Sequence, residues 1–335
     1  NVESCLGCPF EPCCPGGDRC AERYDGERCA QCAKEHYSYN DDCSPCPKIP
    51  WGVIAMAIAG VVGAIFFLWF DTSHWTSVAA LKQLTNFSQN VNIVDLISVT
   101  YPEMYEKIMG VMKFVALDLE VTSPECYAEG MTWHHKFLGM IGFIAAMCLF
   151  FLAIIKFASA YGFQKAQQTS KRLLLFFFTC VYTSLATMCI KCFQSVEGAF
   201  FYDSRIAFDG TAHRFVMILA GALLAFVVLG VPIAMAYFTR ELLHKDLLRN
   251  IKTRESYGAF YDAYTDSCVD FESYSLLRRG FAVMVVVQAR EEPVAQAVLQ
   301  LLISLWFLRI VHKWRPYAPS MYKARCCRRW TIPSE

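Results

Sequence analysis

The chain has 335 residues, 55% of them apolar and 18% charged, with a mean hydropathy of +0.31 and a formal net charge of +1. An average soluble domain is roughly a quarter charged and about half apolar even with glycine counted. An ordinary soluble enzyme domain, a disordered chain and a nucleic-acid binder are therefore excluded as readings.

The cysteines divide the chain. Of 17, nine lie in the first 46 residues: Cys5, Cys8, Cys13, Cys14, Cys20, Cys29, Cys32, Cys43 and Cys46. The sequence begins without Met or a basic-plus-apolar leader, as expected of a chain whose signal peptide has been removed or of a piece of a longer protein. Residues 1–48 are expected to form a small module with little apolar core, held by its cysteines. Cys29-x-x-Cys32 and, ten residues on, Cys43-x-x-Cys46 fit a zinc ribbon by spacing. The same residues with Cys20 fit an epidermal-growth-factor-like disulfide framework. Compartment decides between them, because disulfides persist outside the cell and thiols in the cytosol.

The rest, residues 49–315, reads as a membrane-spanning helical bundle. A bilayer core needs about 20 mainly apolar residues per helix. Spans are predicted near 50–70, 137–160, 173–191, 214–238, 270–289 and 293–312. Residues 1–48 carry nine acidic and five basic side chains. The stretch 164–172 has Lys165, Lys171 and Arg172 and no acid, and residues 316–335 form a basic tail. Cytoplasmic loops are the basic ones, so the N-terminus is predicted outside and the tail inside, at the cell surface. That orientation needs an odd number of crossings, and a seventh is predicted near 77–99. This helix is polar for a span, and Thr85, Ser88, Asn92 and Asp95 share one face that should turn to the bundle interior. The fold class is thus an all-α polytopic membrane protein of about seven helices behind an extracellular disulfide-rich module. An outside module favours disulfides over zinc.

Several side chains are candidates for chemistry. Cys126 precedes the third span and Cys192 follows the fourth, so a bridge between them would tether the outer surface, although Cys189 would serve as well. Glu292, Gln296, Gln300 and Ser304 recur every four residues on the last span, as a pore lining or as interhelical hydrogen-bonding groups. Asp95, Glu272 and Arg278 are ionisable within spans, where such groups default to function. Glu272 and Arg278 lie on nearly opposite helix faces and would seek partners on other helices; the other expectation, favoured for the arginines, is a structural ion pair near the cytoplasmic interface with Arg278 and Arg279 snorkelling. The histidines, including His134, His135 and His213, suggest paired haem ligands. His134, His135 and His213 fall at the outer ends of spans and none inside a span with a facing partner at the same depth, so no cofactor, metal or enzymatic motif is expected. The sequon Asn86-Phe87-Ser88 falls inside a predicted span and should be unused.

The run Gly26-Glu27-Arg28-Cys29-Ala30-Gln31-Cys32, Tyr37 and Cys43-Ser44-Pro45-Cys46-Pro47 resembles the cysteine-rich ephrin-receptor-like repeats of large protist and algal surface proteins. In those proteins the repeats lead into a region that looks like transient-receptor-potential channels. Leu81-Lys82 to Gln89, Tyr101-Pro102, Leu117-Asp118-Leu119 and Pro124-Glu125-Cys126 are similar to that region's early segment. Gly230-Val231-Pro232, Tyr257 to Tyr261, Phe271-Glu272, Leu277-Arg278-Arg279 and Arg315-Pro316-Tyr317 are similar to its later landmarks. Where the family tends to have a second outer cysteine after Asp203, this chain has Ala207-Phe208. The resemblance implies a channel-like bundle that passes cations or senses force or a ligand through its ectodomain. Between the last two predicted spans, however, Ala289 to Pro293 is too short for a re-entrant pore loop. The rival expectation is a non-conducting anchor or assembly subunit for a large extracellular structure. Its partners would be the bilayer and other membrane or ectodomain subunits, and receptor-type triplets for G-protein coupling are absent from the third span.

Overall fold

A computed structural model describes residues 20–25, 31–39, 42–47, 75–97, 126–128 and 130–317, apart from 197, 204 and 291, with isolated positions at 54, 102, 104, 105, 108, 109 and 112. The predicted first span near 50–70, Cys29 and the basic tail lie outside the described residues, except that 316 and 317 are described.

The neck consists of two short hairpins. Strand β1 (Tyr24–Asp25) pairs antiparallel with β2 (Gln31–Cys32), and β3 (His36–Tyr39) with β4 (Asp42–Pro45). The apolar residues packed here are Tyr24 and Cys43, with Cys20, Ala21 and Cys32 around them. So small a core needs covalent support, and a disulfide joins Cys32 to Cys43 across the two hairpins.

The bundle follows. Helix α1 spans Trp75–Asp95, α2 Trp133–Ala160 and α3 Gln164–Lys191. A small cap carries the hairpin β5 (Ser195–Val196) and β6 (Ala199–Phe200). The continuous helix α4, Thr211–His244, contains a π-helical stretch at Ala225–Gly230. A short α5 (Ile251–Tyr257) leads to α6 (Phe271–Gln288) and α7 (Pro293–Trp314). Four of these, α2, α3, α4 and α7, are long and apolar enough to cross a membrane.

Local chemistry sets the ends. At the end of α2, Gly162 adopts φ +75°, Phe163 N–H donates to Ala158 O (2.8 Å) and Gly162 N–H to Ser159 O. This is a Schellman turn, which glycine enters without a Cβ penalty. The turn is so tight that Lys165, Lys171 and Arg172 belong to α3 and not to a loop. The predicted fourth span therefore starts nine residues early. A second Schellman turn closes α4, with Asp246 at φ 51° and Leu247 N–H donating to Leu242 O (2.9 Å). Pro293 opens α7, where a missing N–H costs nothing.

Helix α3 is the axis of the bundle. In its most apolar stretch 61% of the residues are buried, against 6% for α2 and 11% for α7. Trp133, Phe137, Met140, Tyr182, Leu185, Val216, Ala220, Val227 and Leu276 form one core, drawn from α2, α3, α4 and α6. Ile93, Ile190, Ala282, Val283 and Val286 form another, seating α1 against α3 and α6. The outer faces of α2, α4 and α7 are strongly apolar, with Phe150, Phe157, Ile218, Ile233, Leu302 and Trp306 all exposed. In water such surface would be costly, but in a bilayer it is ordinary.

The bundle has two distinguishable ends. One holds Cys126, the start of α2, the finish of α3, the cap and the α6–α7 turn; it is called the neck end because Cys46 is disulfide-bonded to Cys126. The tail end holds the α2–α3 turn, residues 245–270 and Trp314–Tyr317. There Thr265 N–H donates to Pro316 O (2.7 Å) and Tyr264 bridges to Tyr317.

A buried charged cluster between α1, α3 and α6

Arg279 and Glu272 are both fully buried on α6. Seven residues apart, they lie two turns along one helix face, and Arg279 Nη2 stands 3.5 Å from Glu272 Oε1. Helix α1 supplies the remaining acceptors. Arg279 Nη1 donates to Asn86 Oδ1 (3.2 Å) and to Gln89 Oε1. The Gln89 amide in turn donates to Thr179 O and Cys180 O of α3, each at 2.7 Å. One glutamine thus joins three helices. Asn86 is committed to this cluster.

Towards the tail end, the Tyr264 hydroxyl donates to Glu272 Oε2 (2.6 Å). Burial first, and then the neighbouring Glu272 carboxylate, hold the Tyr264 phenol well above its ordinary range. It stays protonated, which makes it the donor and Glu272 the acceptor. Tyr264 also packs against Phe271 and Tyr317 at ring separations of 5.4 and 5.7 Å. The chain Tyr264–Glu272–Arg279–Gln89 therefore runs from the tail end into the middle of the bundle. Isolated charges in low dielectric are prohibitive; here each faces an opposite charge or an oriented dipole.

Arg278 points elsewhere. It donates to Asn90 Oδ1 of α1, and its guanidinium lies 4.7 Å from the Phe307 ring centre on α7. Arg278 thus meets other helices, whereas Glu272, expected to do the same, is held by Arg279 of its own helix and by Tyr264 from the preceding turn. Snorkelling does not hold for Arg279, whose side chain is sealed under α1. Asp95 is buried at the end of α1. On the same face, the Ser88 hydroxyl is 3.5 Å from Met112 Sδ.

The stripe on α7 divides. Gln296 is fully buried and donates to Val286 O of α6 (2.7 Å), and Gln300 is buried beside it. Glu292 and Ser304 are exposed. Only residues 289–292 separate α6 from α7.

The predicted Cys126–Cys192 bridge is not formed. Cys126 is bonded to Cys46, and Cys192 is a buried free thiol, as are Cys180, Cys189 and Cys268. Cys192 packs with Trp133 and Phe200 in the core under the cap. Cys20, Cys32, Cys43 and Cys46 are all disulfide-bonded.

Two of the histidines placed at the outer ends of spans meet. His134 Nε2 and His213 Nδ1 are 3.0 Å apart at the neck end. The rings lie within 19° of parallel with centroids 5.3 Å apart, so they meet end to end along the hydrogen bond. At that separation the two nitrogens are in direct hydrogen-bond contact. Among the described residues no group of three or more His, Cys, Asp or Glu side chains is placed to hold a metal ion. Around the pair, Trp133 N–H donates to Asp203 Oδ2 (3.0 Å), Arg205 is paired with Asp203 (2.7 Å), and Arg290 covers Phe201 at 4.3 Å.

The sequence signal for the charged cluster was present but divided. Asn86, Gln89 and Asn90 occur at helical spacing in an otherwise span-like segment, yet the neighbouring face through Thr85, Ser88, Asn92 and Asp95 is equally polar. Nothing in a single sequence ranks the two. When the chain is compared with models of known families, with curated proteins and with solved structures, none matches.

Proposed function

We propose that the chain is the membrane anchor of a cysteine-rich surface protein, a seven-helix bundle that holds an outward-facing disulfide neck. The observation that carries this reading is the Cys46–Cys126 disulfide. It fastens the neck to the residues entering α2, so load on the neck reaches α2 and, through the Trp133–Asp203 and Arg205–Met131 contacts, the cap. A persistent disulfide belongs in an oxidising compartment, which supports an outside neck. Lys165, Lys171, Arg309, Lys313 and Arg315 at the opposite end support an inside tail by the positive-inside tendency. The commitment of Gln296 to α6 and the four-residue α6–α7 turn fit a bundle whose last two helices are packed as one unit.

A second reading, a channel-like protein resembling transient-receptor-potential channels, is favoured by the buried Arg279–Glu272 pair, since ionisable groups at membrane depth often mark ion paths. The π-helical stretch in α4 also favours it, because such stretches recur at functional sites. Purified protein reconstituted in planar bilayers separates the two under voltage and under tension. The anchor reading expects leak no larger than that of protein-free membranes. Discrete openings altered by Glu292→Ala or Gln300→Ala would overturn it.

A further inference from the structure

We propose that His134 and His213 form an acid-sensitive latch that fastens α2 to α4 at the neck end of the bundle. The pair is the direct polar link between the first turns of these two helices: His134 Nε2 to His213 Nδ1 at 3.0 Å. One imidazole N–H donates to the other's lone pair, so the bond needs one ring to present a bare nitrogen to the other. It survives with both rings neutral and survives the gain of one proton. When both rings are protonated, two N–H groups and two positive charges face each other at contact distance.

The surroundings give that second charge nowhere to go. His213 is fully buried, with Phe200 and Phe208 packed at ring separations of 4.6 and 5.3 Å. The titratable and charged groups around the pair come from four elements. Asp203 and Arg205 belong to the cap, and His135 to α2. Cys189, Lys191 and Cys192 lie at the finish of α3, while Asp209 and Arg214 flank the start of α4. Asp203 is the nearest acid, but its carboxylate is already held by Arg205 (2.7 Å) and by Trp133 N–H (3.0 Å). Asp209 is paired with Arg214 and exposed. Cys189 and Cys192 are buried thiols. Lys191 and Arg205 are themselves cationic.

Two rings whose unperturbed titration lies near pH 6.5 keep the bond through the first proton, and acidification below that range, where burial and the facing ring resist the second proton, separates them. Trp133 and its bond to Asp203 adjoin His134 in sequence, so the cap loosens with the latch. The neck end would then open under acid while the Arg279–Glu272 cluster, beneath it, stays closed.

Hydrogen–deuterium exchange of the full chain in nanodiscs tests this, comparing about pH 7.5 with about pH 5 after correction for intrinsic exchange. The expected result is a rise of roughly tenfold or more in exchange across residues 195–210 and the first turn of α2 at the lower pH. His135→Gln should keep that response. His134→Gln and His213→Gln should each abolish it, because only one cation then forms. Unchanged protection in the unmodified chain would overturn the proposal. So would an acid response retained in both single variants, which would assign it to Asp203–Arg205 instead. His134 is partly exposed and tolerates replacement, so His134→Gln carries the test if His213→Gln does not fold.

Discussion

Arg279 and Glu272 show how much a single buried side chain can demand. Neither is reachable by water, and each depends on the other and on Asn86, Gln89 or Tyr264. Removing one partner leaves the other charged and buried, which costs about 3–5 kcal/mol. Glu272→Ala is therefore expected to lower unfolding stability in mixed micelles by that order. The double replacement Glu272→Leu with Arg279→Met should be less harmful than Glu272→Ala alone, and a fully additive result would disprove their coupling. At this scale the sequence was half legible. It marks Glu272 and Arg278 as ionisable groups in a span, but snorkelling, the usual behaviour of a long basic side chain, misleads for Arg279. What decides its fate is a neighbouring helix with no sequence proximity, since Gln89 lies 190 residues away.

At the scale of elements, the meeting of α3, α4 and α6 turns on a missing side chain. A Cβ built on Gly280 would stand 2.7 Å from the Tyr182 hydroxyl and 2.9 Å from Val228 Cγ1. Val228 belongs to the π-helical stretch of α4, and Tyr182 to the buried axis of α3. Gly280→Ala is expected to destabilise the bundle by about 1–3 kcal/mol through overpacking, measurable as a lowered midpoint in detergent unfolding. An unchanged midpoint would mean that α4 shifts freely and that the π-helical stretch is soft. Apolar runs of about 20 residues were enough to anticipate α2, α3, α4 and α7, because each must bury or expose a continuous oily face. It was not enough for the α2–α3 turn: a run holding Lys165, Lys171 and Arg172 resembles a loop by composition. Gly162 breaks the chain so sharply that these residues start the next helix.

Across the whole molecule the disulfides impose the longest constraint. Cys46 and Cys126 are 80 residues apart, whereas Cys32 and Cys43 are 11 apart. Non-reducing peptide mapping is expected to recover a Cys46–Cys126 linked pair and free Cys192. Cys126→Ser should release a titratable thiol at Cys46, while Cys192→Ser should leave the map unchanged; a Cys126–Cys192 peptide would overturn this connectivity. Cys32, Cys43, Cys46 and Cys126, each named as a bridge candidate from the sequence, are bridged. The pairing was out of reach, because connectivity depends on how the neck is folded back against the bundle and spacing does not encode it.

That long bridge also orders the protein's birth. When Cys46 has been made, its partner is 80 residues from synthesis, and the intervening chain includes α1. Cys32 and Cys43 can close at once, but Cys46 must wait as a thiol until Cys126 has been made. On the topology proposed above, an even number of crossings separates the two and brings both sulfurs to one side. On that topology a chain inserted with a crossing missing would strand them in different compartments, so the bridge would mark the chains that inserted correctly.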